Sequence, residues 1–115
     1  MLKKINRISR NKEFDRVFKT GQSFYGRVLG IKAAKNDLAE SRFGILINTK
    51  VSKKAVVRNR IRRQIRAIIR LQLDKLPTGL DIVIIVFPLI LDKEYTEIGQ
   101  IIDSGFKSLG LYKKR

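Results

Sequence analysis

Hydrophobic positions along the chain follow two spacings, and each spacing predicts a different kind of element. Apolar residues three to four positions apart are typical of one helix face, whereas alternation or a short unbroken apolar run is typical of a strand. The pattern predicts helices over residues 11–19, from 52 or 53 to 74 or 75, and from a cap at Asp92 through Leu109, with strands over 23–34, 42–48 and 82–87. This order, a helix, two or three strands, a helix, a strand and a helix, predicts an α+β fold, a two-layer sandwich of helices on a small sheet, in a single domain spanning residues 1–115.

The predicted strands differ in how far each should be buried. Residues 82–87 form a β-branched run bounded by turn residues, so we expect a strand in the middle of the sheet, buried on both faces. Residues 42–48 are also apolar enough to be central. Within 23–34, alternation places Val28, Gly30 and Lys32 on one side and Arg27, Leu29, Ile31 and Ala33 on the other. The first of these sides is thinly covered.

The long helix separates charged from apolar residues around its circumference. At about 100° per residue, an arc of roughly 140° holds Arg58, Asn59, Arg62, Arg63, Arg66 and Arg70. The opposite arc holds Val57, Ile61, Ile65, Ile68 and Leu71. Residues 53–66 carry seven cationic side chains, and no acid lies between Glu40 and Asp74. We therefore predict one face in the core and a cationic ridge on the other.

Composition points to a polyanionic partner. The 115 residues include 26 Lys and Arg against 10 acids, a net charge of +16. Such self-repulsion implies nucleic acid or anionic lipid as the partner. The longest apolar run, residues 82–91, is about half of the roughly 20 residues that a membrane-spanning helix needs. The absence of Cys fits a reducing compartment, so we expect a cytoplasmic location, and the basic N-terminus lacks the apolar region of a signal peptide.

The cationic ridge has three possible interpretations: a solvated face, a membrane-binding face and a nucleic-acid interface. A merely solvated face normally mixes both signs, because like charges at i,i+4 spacing destabilise a helix. A membrane-binding face would need the aliphatic arc that the sheet requires for its core. Arginine forks suit phosphate oxygens, Asn59 can bond a base edge or a sugar hydroxyl, and the helix N-terminus beside Lys50, Lys53 and Lys54 also favours phosphate. We predict a nucleic-acid interface, and a helix in a DNA major groove stays an alternative.

The residue inventory offers little for protein-based catalysis. His and Cys are absent, so no ready base near neutral pH and no thiol nucleophile exists. The close acidic pair Asp92 and Glu94 is better explained by helix capping. We therefore predict no catalytic residue and no protein-bound metal, although a metal-dependent nuclease with isolated carboxylates stays conceivable.

The ridge sequence "KKAVVRNRIRRQIR" resembles the RNR signature of the protein subunit of bacterial ribonuclease P. The flanking segments are similar to that family in the same order: "KEFDRVFKTG" to its first helix, "GRVLGIK" and "FGILI" to its strands, "DIVIIVFP" to the strand after the long helix and "SLGLYKK" to its final segment. The resemblance covers almost the whole chain. A small basic ribosomal protein that binds ribosomal RNA is the alternative.

The resemblance implies a fold and a set of partners. The family fold resembles the second domain of ribosomal protein S5, with an unusual left-handed β-α-β crossover. The implied partners are the catalytic RNA of ribonuclease P and precursor tRNA, with no membrane and no obligate protein partner. The RNA subunit, with Mg2+, would remove the 5′ leader of the precursor, and the protein side chains alone would bind no metal.

The resemblance also implies roles for particular residues. The signature residues expected to contact the catalytic RNA are Arg58, Asn59, Arg60, Arg62, Arg63 and Arg66. The charges of Lys50, Lys53 and Lys54 at the helix N-terminus add these lysines to the expected RNA-binding set. A cleft for the leader is expected to bring together Phe14, Phe18, Arg27, Val28, Gly30 and Lys32, with Gly30 leaving room for an RNA strand. Plain core packing is an equal alternative for the two phenylalanines.

The chain departs from the family pattern at three places. Lys32 stands where some members have Tyr, which favours a phosphate contact over stacking there. Residues 52–54 replace a Gly-containing approach to the long helix, and Phe87 stands where other members carry a basic residue.

Overall fold

Seven helices and strands follow one another in the predicted order, with three strands between the first two helices. The structure, a computed structural model, describes residues 6–8 and 11–113. The elements are α1 (Asn11–Thr20), β1 (Gln22–Tyr25), β2 (Leu29–Lys35), β3 (Arg42–Leu46), α2 (Ala55–Gln72), β4 (Leu80–Val86) and α3 (Tyr95–Ser108). Short 3-10 helices at Leu73–Lys75 and Pro88–Asp92 follow α2 and β4. The predicted α+β class is confirmed.

There are three strands in this region, and not two, because residues 23–34 form a hairpin and not the single strand that their pattern predicts. The Gly26 N–H donates to the Leu29 carbonyl at 3.0 Å, which closes a turn between β1 and β2. The two strands then pair antiparallel, with Tyr25 opposite Gly30. The predicted alternation holds within β2, where Leu29 and Ile31 are fully buried on the core side.

The four strands lie in the order β1-β2-β4-β3. β4 pairs antiparallel with β2 and parallel with β3, so the prediction that residues 82–87 are central is confirmed. The prediction that residues 42–48 form a central strand is wrong, because β3 has no strand on its outer side among the described residues. That side is covered by the N-terminal segment, where the Ile8 N–H donates to the Phe43 carbonyl at 2.8 Å.

One face of the sheet is closed by α2 and α3. Fully buried side chains of the sheet, such as Ile82 and Ile84, meet Ile65 of α2 and Phe106 of α3 in a single cluster. α3 comes so close to the sheet that a Cβ at Gly105 would lie 2.5 Å from Ile31 Cδ1. Glycine at this position therefore permits the packing that closes the core, although it weakens the helix by itself.

α2 is rotated about its axis relative to the prediction. Ile61, Ile65 and Ile68 are buried as expected, but Ile69 is buried too and Leu71 is 71% exposed. At about 100° per residue, the centre of the buried arc is shifted by roughly 45°. The shift brings Arg58, Arg62 and Arg66 to the boundary of the core, where each is half-buried.

The cap of α3 also differs from the prediction. Asp92 ends the 3-10 helix at Pro88–Asp92, and Glu94 is the N-cap residue. Glu94 and Glu97 form a reciprocal capping box, in which the Glu94 N–H donates to Glu97 Oε1 at 3.3 Å. Of the acidic pair Asp92 and Glu94, capping of α3 therefore explains Glu94. Within the described ranges, no helix is long and apolar enough to cross a membrane.

Candidate nucleic-acid interface

α1 covers only one end of the other sheet face. Val17 of α1 is fully buried against Ala34 and Val83. Beyond the helix, Leu46 of β3 and Ile85 of β4 stay half-buried, although they belong to the same cluster. The uncovered half of this face is called the open face below, and it is bounded by α1, β1 and β3.

A buried carboxylate fixes α1 at its end of the sheet. Asp81, at the start of β4, is fully buried and accepts two hydrogen bonds from Arg42 of β3, at 2.9 and 2.7 Å. It also accepts one from Arg16 of α1 at 2.5 Å and one from Asn36 at 2.7 Å. Arg42 additionally pairs with Glu13 of α1. The helix is therefore tied through one anion to β4, to β3 and to Asn36, the residue that follows β2.

This arrangement changes the proton affinity of Asp81. Burial by itself raises the pKa of a carboxyl group, because it disfavours the charged form. The hydrogen bonds from Arg42, Asn36 and Arg16 outweigh burial, and the pKa of Asp81 lies below its ordinary value of 3.8. Asp81 is thus a structural anion that stays charged near neutral pH.

The two phenylalanines of α1 line the rim of the open face. Phe14 lies over β3, where a Cβ at Gly44 would clash with its ring. Phe18 lies beside β2, where Lys32 Nζ stands 5.4 Å from its ring centroid and donates to its backbone carbonyl at 3.1 Å. Both rings are half-buried, so core packing and an exposed ring surface coexist. Lys32 keeps donors for a ligand, since an ammonium group has three.

Gly30 does not leave the room that the sequence predicts. The ring of Tyr25 lies over it from the neighbouring strand, and a Cβ at Gly30 would be 2.7 Å from Tyr25 Cδ1. Tyr25 is 58% exposed, so its ring is an aromatic surface on the open face beside Lys32. Sequence reasoning missed Tyr25 because it treated residues 23–34 as one strand. The turn at Gly26 was the signal that could have found it.

Two further residues of the predicted cleft lie elsewhere. Val28 is 6% exposed and belongs to the core cluster of the opposite face, so its expected place in the cleft is wrong. The cause is the hairpin turn, which interrupts the alternation before β2 begins. There the Val28 carbonyl accepts the Phe87 N–H at 3.0 Å. Arg27 is exposed in the same turn and is not part of the alternating strand. Phe87 is half-buried.

The half-buried arginines of α2 form a continuous cationic flank, defined by Arg58, Arg62 and Arg66. Arg58 Nη1 donates to the Ser52 carbonyl and Arg62 Nη1 to Asn59 Oδ1, both at 2.8 Å. Burial, together with the charges of Arg7 and Arg62, lowers the pKa of Arg66. Arg7 forms a backbone bridge with Phe43 on the outer side of β3, and its charge acts on Arg66. The flank therefore lies at that edge of the sheet.

The other predicted cations lie around this flank. Arg63 and Asn59 are exposed on the outer face of α2, and Arg60 is exposed on the side facing α3. The lysines Lys50, Lys53 and Lys54 are exposed in the loop that leads into α2. Lys54 is the N-cap residue, with no side-chain cap and no acid in the first turn. This helix end therefore keeps its backbone donors and adds positive charge.

Comparison with known proteins assigns the chain to a family. The model of the family described as Ribonuclease P matches residues 2–110. The chain belongs to the bacterial ribonuclease P protein family. The ribonuclease P protein component of Clostridium botulinum strain Loch Maree is 37% identical over 110 residues, which cover 95% of this chain and 98% of that protein. The component from Pseudanabaena is 39% identical over 100 residues, 86% of each chain.

Solved ribonuclease P proteins share the fold. The protein of Staphylococcus aureus superposes with a TM-score of 0.86 at 26% identity, over 94% of this chain and 98% of that chain. The protein of Thermotoga maritima gives a TM-score of 0.77 at 26% identity, over 88% and 96%. The ribosomal-protein alternative is therefore set aside, and the chain is a component of the endoribonuclease that the family name denotes.

The carboxylates of this ribonuclease P protein bear on whether its interface could hold a divalent cation. Mg2+ prefers carboxylate and other oxygen ligands. No group of three or more His, Cys, Asp or Glu side chains lies together in residues 6–8 and 11–113. Two of the acids beside α1, Asp81 and Glu13, are paired with arginine.

Proposed function

We propose that this ribonuclease P protein binds the catalytic RNA of the enzyme through the cationic flank and holds the 5′ leader of precursor tRNA on the open face. The observation that carries the proposal is the acid-free flank at the edge of a half-covered sheet. Phosphates of a folded RNA match arginine forks held on a rigid helix. A single strand matches exposed rings with a cation between them.

The RNA subunit supplies the chemistry in this proposal, and Mg2+ acts through that RNA. The absence of His and Cys from the sequence supports this division of labour. The best-placed carboxylate, Asp81, is buried and held by three side chains, so it is unsuited to proton transfer. The protein's share is to bind and orient both RNAs.

Within the open face, three side chains have distinct tasks in the leader path. Phe18 and Tyr25 offer ring surfaces on which unpaired bases can stack. Lys32 lies between them on β2 and can contact a phosphate, while its bond to the Phe18 carbonyl fixes its direction. These contacts depend on the leader being single-stranded and little on its sequence.

The test is reconstitution with a candidate catalytic RNA at low Mg2+, followed by paired affinity measurements on precursor and mature tRNA. The protein alone should not cleave the precursor, whereas the holoenzyme should cleave it and bind it more tightly than the mature product. Phe18→Ala and Lys32→Ala should shrink that preference and leave the affinity for mature tRNA unchanged. Lys107→Ala, which removes a cation from α3, is the control. Equal weakening on both RNAs would contradict the leader assignment.

A further inference from the structure

Arg60 stands apart from the rest of the arginine signature. At about 100° per residue, its side chain leaves α2 roughly 160° away from that of Arg62. One strand of RNA lying along the cationic flank therefore cannot reach Arg60 without wrapping the helix. Among the described residues, Arg60 makes no hydrogen bond or ion pair.

Arg60 lines a cavity of about 340 Å3 between α2 and the start of α3. This volume lies within the roughly 300–1,000 Å3 typical of small-ligand sites. Two buried side chains, Ile61 and Ile90, form an apolar floor. Gln64 and Tyr95 also line the cavity, and the Tyr95 ring is 41% exposed.

The charges around the cavity nearly cancel. Arg60 and Lys93 face Glu94, whose carboxylate accepts a backbone N–H in the capping box of α3. Lys93 Nζ lies 3.8 Å from Glu97. General attraction for a polyanion is therefore weak here, unlike at the cationic flank. The remaining features suit a flat group with polar edges, because Gln64 and the Tyr95 ring line the cavity above a small apolar floor.

We propose that this cavity takes the base of one unpaired nucleotide of the catalytic RNA. The base stacks on Tyr95, and the Gln64 amide, which can both donate and accept, bonds its edge. Arg60 holds the adjacent phosphate. Gln64 and Tyr95 have no hydrogen-bond partner elsewhere in the described part of the chain, so both are available. The inference rests on the proposed binding of catalytic RNA, but it concerns a separate surface on the opposite side of α2.

A fluorescent reporter can test the stacking contact. The sequence has no Trp, so Tyr95→Trp introduces a single indole at the proposed contact. Titration with catalytic RNA should quench its emission to a saturating level, and precursor tRNA without catalytic RNA should not. Leu38→Trp, in an exposed loop at the other end of the sheet, should stay unquenched in the same titration. Unchanged Tyr95→Trp emission at an RNA concentration that a gel shift shows to be saturating would overturn the proposal.

Affinity measurements separate the ring from a merely structural role. Tyr95→Ala should raise the Kd for catalytic RNA by about 5- to 150-fold, the range that corresponds to one stacked base. Tyr95→Phe should stay within about twofold of the wild type, because the ring remains. The Tyr95→Ala loss should persist at high salt, whereas the Arg60→Ala loss should shrink. Equal losses in Tyr95→Ala and Tyr95→Phe would contradict stacking.

The outcome also distinguishes this site from the leader path. In the Tyr95→Ala holoenzyme, assembled at saturating protein, the preference for precursor over mature tRNA should equal that of the wild type. A reduced preference would place the residue in the leader path and overturn the inference. Failure of the wild-type protein to bind catalytic RNA at all would instead contradict the proposed function. Melting curves verify that each variant is folded.

Discussion

The two faces of the sheet differ in how far the helices cover them. On the core face, Ile31, Ile82 and Ile84 are fully buried beneath two helices. On the other face, a single helix of 10 residues covers one end, and Ile85 remains half-buried. A helix of this length is about 15 Å long, too short to cover the face. The comparison teaches that stability is concentrated on one face while the other keeps an unfilled surface for a ligand.

The largest expected effect comes from the anion that holds α1 on the half-covered face. Asp81→Asn leaves Arg16 and Arg42 without their buried counter-charge, which costs about 3 to 5 kcal/mol when a buried pair is broken. We expect the lower end, because the Arg16 side chain is 39% exposed. Urea unfolding measures the loss. Asp15→Asn, an exposed carboxylate on the same helix, is the control and should change stability little.

The pH dependence of this loss has a definite sign. The pKa of Asp81 is lowered by folding, so its contribution is fully present above the unfolded value near 3.8 and is lost as pH falls through the folded value. The stability difference between wild type and Asp81→Asn should therefore be constant above about pH 5 and shrink below pH 4. A difference that grew on acidification would contradict the role of Asp81 as a charged anchor.

The second prediction compares two faces of α2. Ile65→Ala should cost about 2 to 5 kcal/mol, because the side chain is fully buried and its removal leaves a cavity. Arg62→Ala should leave the melting temperature nearly unchanged and weaken RNA binding. The salt dependence of binding should fall as well, by about 0.7 in log-log slope for each single-strand phosphate that the variant no longer neutralises. Arg58→Ala is a poorer choice, since Arg58 also holds the Ser52 carbonyl.

Equal losses of stability in Ile65→Ala and Arg62→Ala would contradict this assignment of the helix face. The rotation of α2 adds a third substitution that tests which residues of the helix face the core. Leu71→Ser should be nearly neutral for folding although the sequence pattern places Leu71 in the apolar arc, because the side chain is 71% exposed.

The sequence was sufficient to predict elements whose pattern depends only on residues close together in the chain. The β-branched run of β4 and the charge separation of α2 both produced correct predictions, since each depends on residues close in the chain. The edge position of β3 depends on pairing with Arg7 and Ile8, more than thirty residues away, and no local pattern shows it. The buried face of α2 was predicted about half a residue step away from its true position, because Ile69 and Leu71 have similar hydropathy. Only packing against the sheet decides which of the two is buried.

The candidate site was harder to predict than the fold for the same reason. Phe18 and Lys32 lie together as expected, but Val28 belongs to the opposite face because the hairpin turn breaks the alternation. The turn carries one glycine, Gly26, and no strong two-residue hairpin signal, so period-2 patterning continued through it. The Tyr25 ring lies over Gly30 because of the register between β1 and β2. The sequence pattern alone did not specify this register.

The smallest expected effect concerns that ring. Tyr25→Ala should weaken binding of precursor tRNA by the holoenzyme by about 1 to 3 kcal/mol if a leader base stacks there. Affinity for mature tRNA should not change, and neither should stability beyond about 1 kcal/mol, because the ring is largely exposed. Tyr25→Phe should retain the wild-type preference. Weakening on both tRNAs would place Tyr25 outside the leader path.

Gly30 offers an independent check on this contact, because the side chain nearest to a Cβ at this position is that of Tyr25. A Cβ at Gly30 would stand 2.7 Å from Tyr25 Cδ1 and 2.9 Å from Cε1, so Gly30→Ala must displace the ring. It should therefore reduce precursor affinity in the wild-type background and have no effect in the Tyr25→Ala background. The two substitutions are coupled through one pair of neighbouring residues, and a double-mutant cycle on precursor binding measures that coupling. Additive losses would mean that the leader meets Gly30 directly and that the ring of Tyr25 does not define the surface.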